Sequence, residues 1–261
     1  MSRIIRRLLL LAILAACLPW PARAGSDIGI VLLHGTSGIP NSRIMTPFTQ
    51  AMRGAGYLVL EPEMCWSRTR IYGGLYLDCL REIDGAIASL RSQGARHIVL
   101  AGQSAGGNAV LVYASTHPGL LGVIALAPAA NPAGLLRNPA TAQSYAQAQQ
   151  MIAAGHGNDR ATFTSVNNGT PFATTSTAAA FASFHDPQGP AAFPNALPHV
   201  TEPVLWVAGN ADQSQASADT WFATLPANRL NRIVHVSSDH LGTPAAGATA
   251  ALDWLKTLPA K

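Results

Sequence analysis

Apolar runs and helical spacings alternate along most of this chain. Ile28 to Leu33 reads Ile-Gly-Ile-Val-Leu-Leu, a continuous apolar strand of the kind buried on both faces of a parallel sheet. A helix follows from Ser42, as its cap, to about Arg53, closed by Gly54 and Gly56. Tyr57 to Leu60 is a second strand, and Glu61 to Gly74 is a long loop carrying Trp66, Arg68, Arg70 and Tyr72. Leu75 to Ser92 places Leu80, Ile83, Ile87 and Leu90 at helical spacing, with Gly94 as the stop. An apolar strand beginning at Ile98 runs into a glycine-rich turn, and the Ala/Val-rich helix after it ends at about Thr116, before His117-Pro118-Gly119. Leu121 to Leu126 and Val204 to Ala208 are further strands; a helix from about Ser217 to Leu225, a strand from Arg229 to Val236 and a helix from about Pro244 to Leu258 complete the pattern. Strand and helix in alternation with short links predict an α/β fold, a mostly parallel sheet with flanking helices and right-handed crossovers.

The rhythm stops between Pro128 and Pro203. This stretch is rich in Ala, Gln, Asn, Thr and Pro, with helices expected at about Ala140 to Ala154 and Thr177 to Phe184. Loops of such length tend to serve a site, so an inserted cap over about 128–202 is the expectation, with a surface excursion as the alternative.

At 261 residues and 48% hydrophobic, the chain suits one sizeable domain. Its first 24 residues change the reading of its charge. Arg3, Arg6 and Arg7 precede an uncharged run from Leu8 to Cys17, and Ala22-Arg23-Ala24 forms an A-x-A site, so 1–24 reads as a secretory signal peptide and 25–261 as the mature domain. The apolar core is too short for a membrane span. That leader takes four of the 17 basic residues and none of the 13 acidic ones, so the remainder is formally neutral. The alkaline balance therefore gives no support to nucleic-acid binding. Leu14-Ala15-Ala16-Cys17 also resembles a lipoprotein processing site, which would leave a lipid anchor on Cys17. Both processing routes place the protein outside the cytoplasm, periplasmic or secreted. Cys65 and Cys79 then remain as an even pair, a candidate disulfide, with two separate thiols as the alternative.

The chemistry centres on Gly102-Gln103-Ser104-Ala105-Gly106, a G-x-S-x-G turn between strand and helix. Such a turn strains the serine and projects its hydroxyl above the strand ends, so its neighbours must be small. A dinucleotide fingerprint would need Gly where Ser104 stands, and no phosphate-cradling G-x-x-x-x-G-K-[ST] loop occurs. Serine needs a base and the base needs a carboxylate, which in a parallel sheet come from loops after later strands. Asp212 follows the Val204 strand, and His240 follows the strand ending at Val236. Asp239 reads as a capping residue and Asp219 as solvated; His235 alternates within a strand; His117, His156, His185 and His199 read as solvated rings, and His34 as a turn-shaping residue. An oxyanion requires two donors: the Ala105 N–H is one and the His34-to-Gly38 loop should bring the other, with Thr36 the candidate. Trp66, Arg68, Arg70 and Tyr72 are candidates for a substrate mouth, where Arg68, Arg70 and Tyr72 could meet a carboxylate, with an exposed, solvated charged loop as the alternative. No metal-ligating spacing is present, and neither a metal nor a cofactor is expected.

The order His34-Gly35, Gly102 to Gly106, Asp212 and His240 resembles the α/β-hydrolase superfamily over about Ile28 to Leu258. The resemblance implies a Ser-Asp-His triad and a lid in the 128–202 stretch. The first loop departs from the HGGG run of one esterase branch, carrying Thr36-Ser37. The expected function is an exported serine hydrolase that cleaves a carboxylic ester or related acyl bond of a small-molecule substrate. A peptidase or amidase of the same layout, and a non-catalytic binding protein, are the alternatives.

Overall fold

The computed structural model describes residues 27–259. The expected signal peptide, with Cys17 and the A-x-A site, lies outside them. Six parallel strands form one sheet in the order β2-β1-β3-β4-β7-β8: β1 Ile28–Leu33, β2 Leu58–Leu60, β3 His97–Gln103, β4 Gly122–Leu126, β7 Val204–Gly209 and β8 Arg232–Val236. The chain moves outward from β1 to β2, then crosses back to β3 on the other side of β1. β1 and β3 are therefore neighbours, with Leu33 paired to Gly102, and their following loops leave the same sheet edge side by side. Such a reversal point opens a crevice for a ligand.

Alternation along the central strands divides the core in two. Val31, Leu33, Ile98 and Leu100 point into one apolar cluster, while Ile30, Leu32, Val99 and Ala101 point into the other. The second cluster is closed by α1 (Thr46–Gly54) through Phe48 and Met52 and by α10 (Thr243–Leu255) through Ala251, Trp254 and Leu255. The first is closed by α2 (Tyr76–Leu80), α3 (Glu82–Ser92) and α4 (Ala105–Ala114). α4 is apolar on all sides and almost wholly buried, as a helix wedged between sheet and insertion must be.

Three boundaries differ from the sequence expectation. Ser42 does not cap α1; its carbonyl accepts from Met45 and Thr46 N–H in a preceding turn, and the helix begins at Thr46. The expected single helix 75–92 is two, because at Arg81 the backbone bonds tighten to i−3 spacing and the axis breaks. α9 is only Ala218–Phe222.

The insertion holds more order than its composition suggests. Besides α5 (Pro132–Leu135), α6 (Pro139–Ala153), α7 (Ala178–His185) and α8 (Phe193–Ala196), it contains an antiparallel hairpin of β5 (Arg160–Asn167) and β6 (Thr170–Thr177). Its two-residue turn is Asn168-Gly169, both at positive φ (47° and 78°), the pattern of a type I′ turn. The Asn-Gly dipeptide was the available signal, hidden by a strand pair rich in Thr and Ser. A disulfide joins Cys65 to Cys79, Cα atoms 5.6 Å apart, and ties the 61–74 loop to α2.

Candidate active site

Ser104 sits between β3 and α4 at φ 57°, ψ −118°. A non-glycine residue held there stores roughly 1–3 kcal/mol of strain, which only tight surroundings can maintain. Those surroundings are backbone. A Cβ on Gly102 would lie 2.2 Å from the Gly106 carbonyl oxygen, and one on Gly106 would lie 2.4 Å from that of Leu33. Glycine at both positions lets the turn close against β1.

The hydroxyl meets a base. His240 Nε2 lies 2.9 Å from Ser104 Oγ, and His240 Nδ1 lies 2.6 Å from Asp212 Oδ2. Asp212 cannot donate when ionised, so Nδ1 carries the proton and Nε2 is left to accept from the serine. The other Asp212 oxygen accepts the Ser214 N–H at 2.9 Å. Burial pushes the Asp212 carboxyl up, but hydrogen bonds from His240 and Ser214 outweigh it and hold it below its ordinary range. All three side chains are largely buried, with Ser104 6%, Asp212 9% and His240 8% exposed.

The first loop is held from several directions. His34 Nδ1 donates to the Gly35 carbonyl at 2.9 Å, and Nε2 accepts from Met64 N–H at 3.2 Å. That second bond requires a neutral ring, and burial lowers the His34 pKa accordingly. Trp66 Nε1 donates to the His34 carbonyl, Ser37 N–H to the Trp66 carbonyl and Arg68 N–H to the Gly38 carbonyl, at 2.9, 2.9 and 3.0 Å. From the insertion, Asn167 Nδ2 donates to the Thr36 carbonyl at 3.1 Å. The carbonyls of Gly35 and Thr36 and the N–H of Ser37 are thus engaged. The Thr36 and Ala105 N–H groups have no acceptor among the described residues.

Two spaces meet at this point. An open cleft is bordered by Ser104, His240, Leu241, Met45, Arg68 and Asn167. A smaller, mostly apolar cavity is lined by Thr36, Ala105, Trp66, Tyr72, Tyr76 and Phe184, among others. Trp66 and Tyr72 therefore face the cavity, whereas Arg70 lies in a separate depression, paired with Glu82.

The remaining acids and histidines find other partners. Asp239 accepts the Gly242 N–H, Asp219 pairs with His235 on the surface, His156 pairs with Asp159, and His117 stacks on Tyr113. His185 is not solvated as expected. It is fully buried, hydrogen-bonded to Ser165 Oγ and the Phe181 carbonyl and stacked on Phe181, and burial takes its pKa down to about 4. Sequence reasoning also missed Asn167, Ser214 and Gln103, whose amide reaches the His240 carbonyl at 3.3 Å. Only Asn167, beside Asn-Gly, carried a local cue.

Comparison with known proteins bears on the family and the fold. A thermostable monoacylglycerol lipase of Bacillus sp. (strain H-257) is 31% identical over 119 residues, which is 43% of this chain and 44% of that protein's length. The chain thus spans less than half of that curated relative. Among solved structures, the monoacylglycerol lipase of Paleococcus ferrophilus superposes with a TM-score of 0.64 at 19% identity, over 87% of this chain and 93% of its own. Est1E of Butyrivibrio proteoclasticus, solved with ferulic acid bound, superposes with a TM-score of 0.64 at 14% identity, over 89% and 90%. Residues 81–248 match the family described as "Putative esterase". From Arg81, just before α3, to Ala248 in α10, that match takes in the elbow, the insertion and both later loops: the chain belongs to this esterase family, and its fold is that of the α/β-hydrolases.

Proposed function

We propose that the protein is an exported serine hydrolase that cleaves carboxylic esters through Ser104, His240 and Asp212. The observation that carries this reading is the continuous hydrogen-bonded path from Asp212 through His240 to a strained Ser104. Ser104 Oγ attacks the ester carbonyl as its proton passes to His240 Nε2, and Asp212 stabilises the imidazolium that forms. The carbonyl oxygen becomes an oxyanion held by the Ala105 and Thr36 N–H groups, with the positive end of α4 behind it. His240 then protonates the leaving alcohol, and a water deprotonated by the same nitrogen attacks the acyl-enzyme, releasing the acid and restoring Ser104.

Residues 128–202 act as the cap. Asn167 from its hairpin reaches the first loop, and Phe184 from α7 walls the cavity. Export is supported by the disulfide, which persists in oxidising compartments, and by the leader pattern. Among the described residues no helix is long and apolar enough to cross a membrane.

The test is a fluorophosphonate probe applied to the native, oxidised protein. Wild type should be labelled on Ser104 and hydrolyse 4-nitrophenyl esters, and Ser104→Ala should lose both. Unlabelled wild-type protein with an intact fold would end the catalytic reading.

A further inference from the structure

We propose that the substrate is an ester joining a short, apolar acyl group to an alcohol part that bears a negative charge. This rests on the assignment of Ser104, His240 and Asp212 made above.

The chemistry decides which space takes which half. His240 Nε2 must reach the departing oxygen, so the alcohol part lies in the space that His240 borders, the open cleft. The acyl part then extends into the cavity beside Ala105 and Thr36, which His240 does not line.

The acyl side is small and dry. Trp66, Tyr72, Tyr76, Leu135, Phe184 and Ala191 close a cavity of about 20 Å³, little more than one water molecule needs. Apart from the Thr36 hydroxyl and the Thr36 and Ala105 N–H groups, its polar groups are already matched. Tyr76 OH donates to Asn108 Oδ1 at 2.8 Å, Asn108 Nδ2 donates to the Ala191 carbonyl at 2.8 Å, Tyr72 OH bonds Ser165 Oγ at 3.0 Å, and Trp66 Nε1 is taken by His34. A hydroxyl or carboxylate on the acyl chain would be buried without a partner, which is costly. The methyl of an acetyl group is the size this space takes; long chains are not.

The alcohol side is larger, about 320 Å³, and unbalanced in charge. Among the described residues no carboxylate borders it. Arg68 is the one arginine or lysine that does, exposed and without a side-chain partner among the described residues. Its backbone N–H bonds the Gly38 carbonyl, so the side chain starts from the edge of the first loop. Arg68 also borders the neighbouring depression with Arg70 and Arg160, which carries the positive surface away from the cleft along β6. A carboxylate, sulfate or phosphate on the alcohol part is the group that answers this field.

Two comparisons test the two halves, with fluorophosphonate labelling run on every variant to report the competence of Ser104. For the acyl half, kcat/KM should fall at least tenfold from 4-nitrophenyl acetate to the octanoate, and Phe184→Ala or Leu135→Ala should shift the ratio toward the octanoate. Equal rates on acetate and octanoate in wild type would overturn it. For the alcohol half, wild type should show a lower KM for 4-acetoxybenzoate than for its neutral methyl ester. Arg68→Gln should raise the ratio of the two KM values about two- to fivefold, the size expected of an exposed charge pair, and added salt should erode the wild-type preference. An unchanged ratio would overturn it. Labelled protein with either overturning result defeats this substrate assignment alone, whereas unlabelled wild type defeats the hydrolase reading beneath it.

Discussion

At the scale of single residues, the site depends on placements that tolerate no added atom and no wrong proton. Gly106→Ala would push a methyl onto the Leu33 carbonyl, so we expect the elbow to open, with loss of labelling at Ser104 and a lower melting temperature. Asp212→Asn keeps the shape but not the negative charge that fixes Nδ1–H, and should lower kcat by about 10³ to 10⁴ with little change in KM. His185 and His34 are buried neutral, with pKa values lowered from the ordinary 6.5, His185 to about 4. The unfolded chain therefore binds more protons than the folded one between about pH 6.5 and 4, and stability must fall as pH drops through that window. For His185 the loss is on the order of 3 kcal/mol. Urea unfolding midpoints at pH 7 and pH 4.5 measure it, and His185→Gln should reduce the difference. Ser104, Asp212 and His240 were legible because each follows a readable strand. Burial of His185 was not, because it depends on Phe181, Ser165 and Tyr72 converging from three separate segments.

At the scale of elements, the first loop is a borrowed structure. Its own five residues supply few bonds, and its conformation comes from the 64–68 segment on one flank and the hairpin tip on another. The Cys65–Cys79 bridge sits within the first of these. Replacing both cysteines with serine removes a closed loop with a sequence separation of 14, worth about 3 kcal/mol by the loop-entropy account, and should reduce kcat more than KM by loosening Trp66 and Ser37. Thermal unfolding and steady-state kinetics of the double variant check both. Asn167→Ala should likewise lower kcat, several-fold, while leaving the melting temperature nearly unchanged. The central strands of the sheet were readable because both their faces are apolar. The β5–β6 hairpin was not, because its stability comes from packing on α6 and α7 and its exposed face is polar.

For the whole molecule, the parallel sheet brings loops from β1, β3, β7 and β8 to one edge, although Ser104 and His240 are 136 residues apart. The proposed export signal gives a prediction at the same scale. Expressed with its signal, the protein should be recovered outside the cytoplasm beginning at Gly25, with no thiol reactive before reduction, as N-terminal sequencing and alkylation would show; an acylated Cys17 as first residue would instead select the lipoprotein route. The order of strands and helices, the strained serine and the order of Ser104, Asp212 and His240 along the chain follow from local pattern, because hydrophobic period and turn chemistry act over a few neighbouring residues. The small cavity beside Ala105 and Thr36, the placement of Arg68 at the open cleft and the latch from Asn167 to Thr36 were decided only in three dimensions, since each joins segments whose separation along the chain carries no local trace.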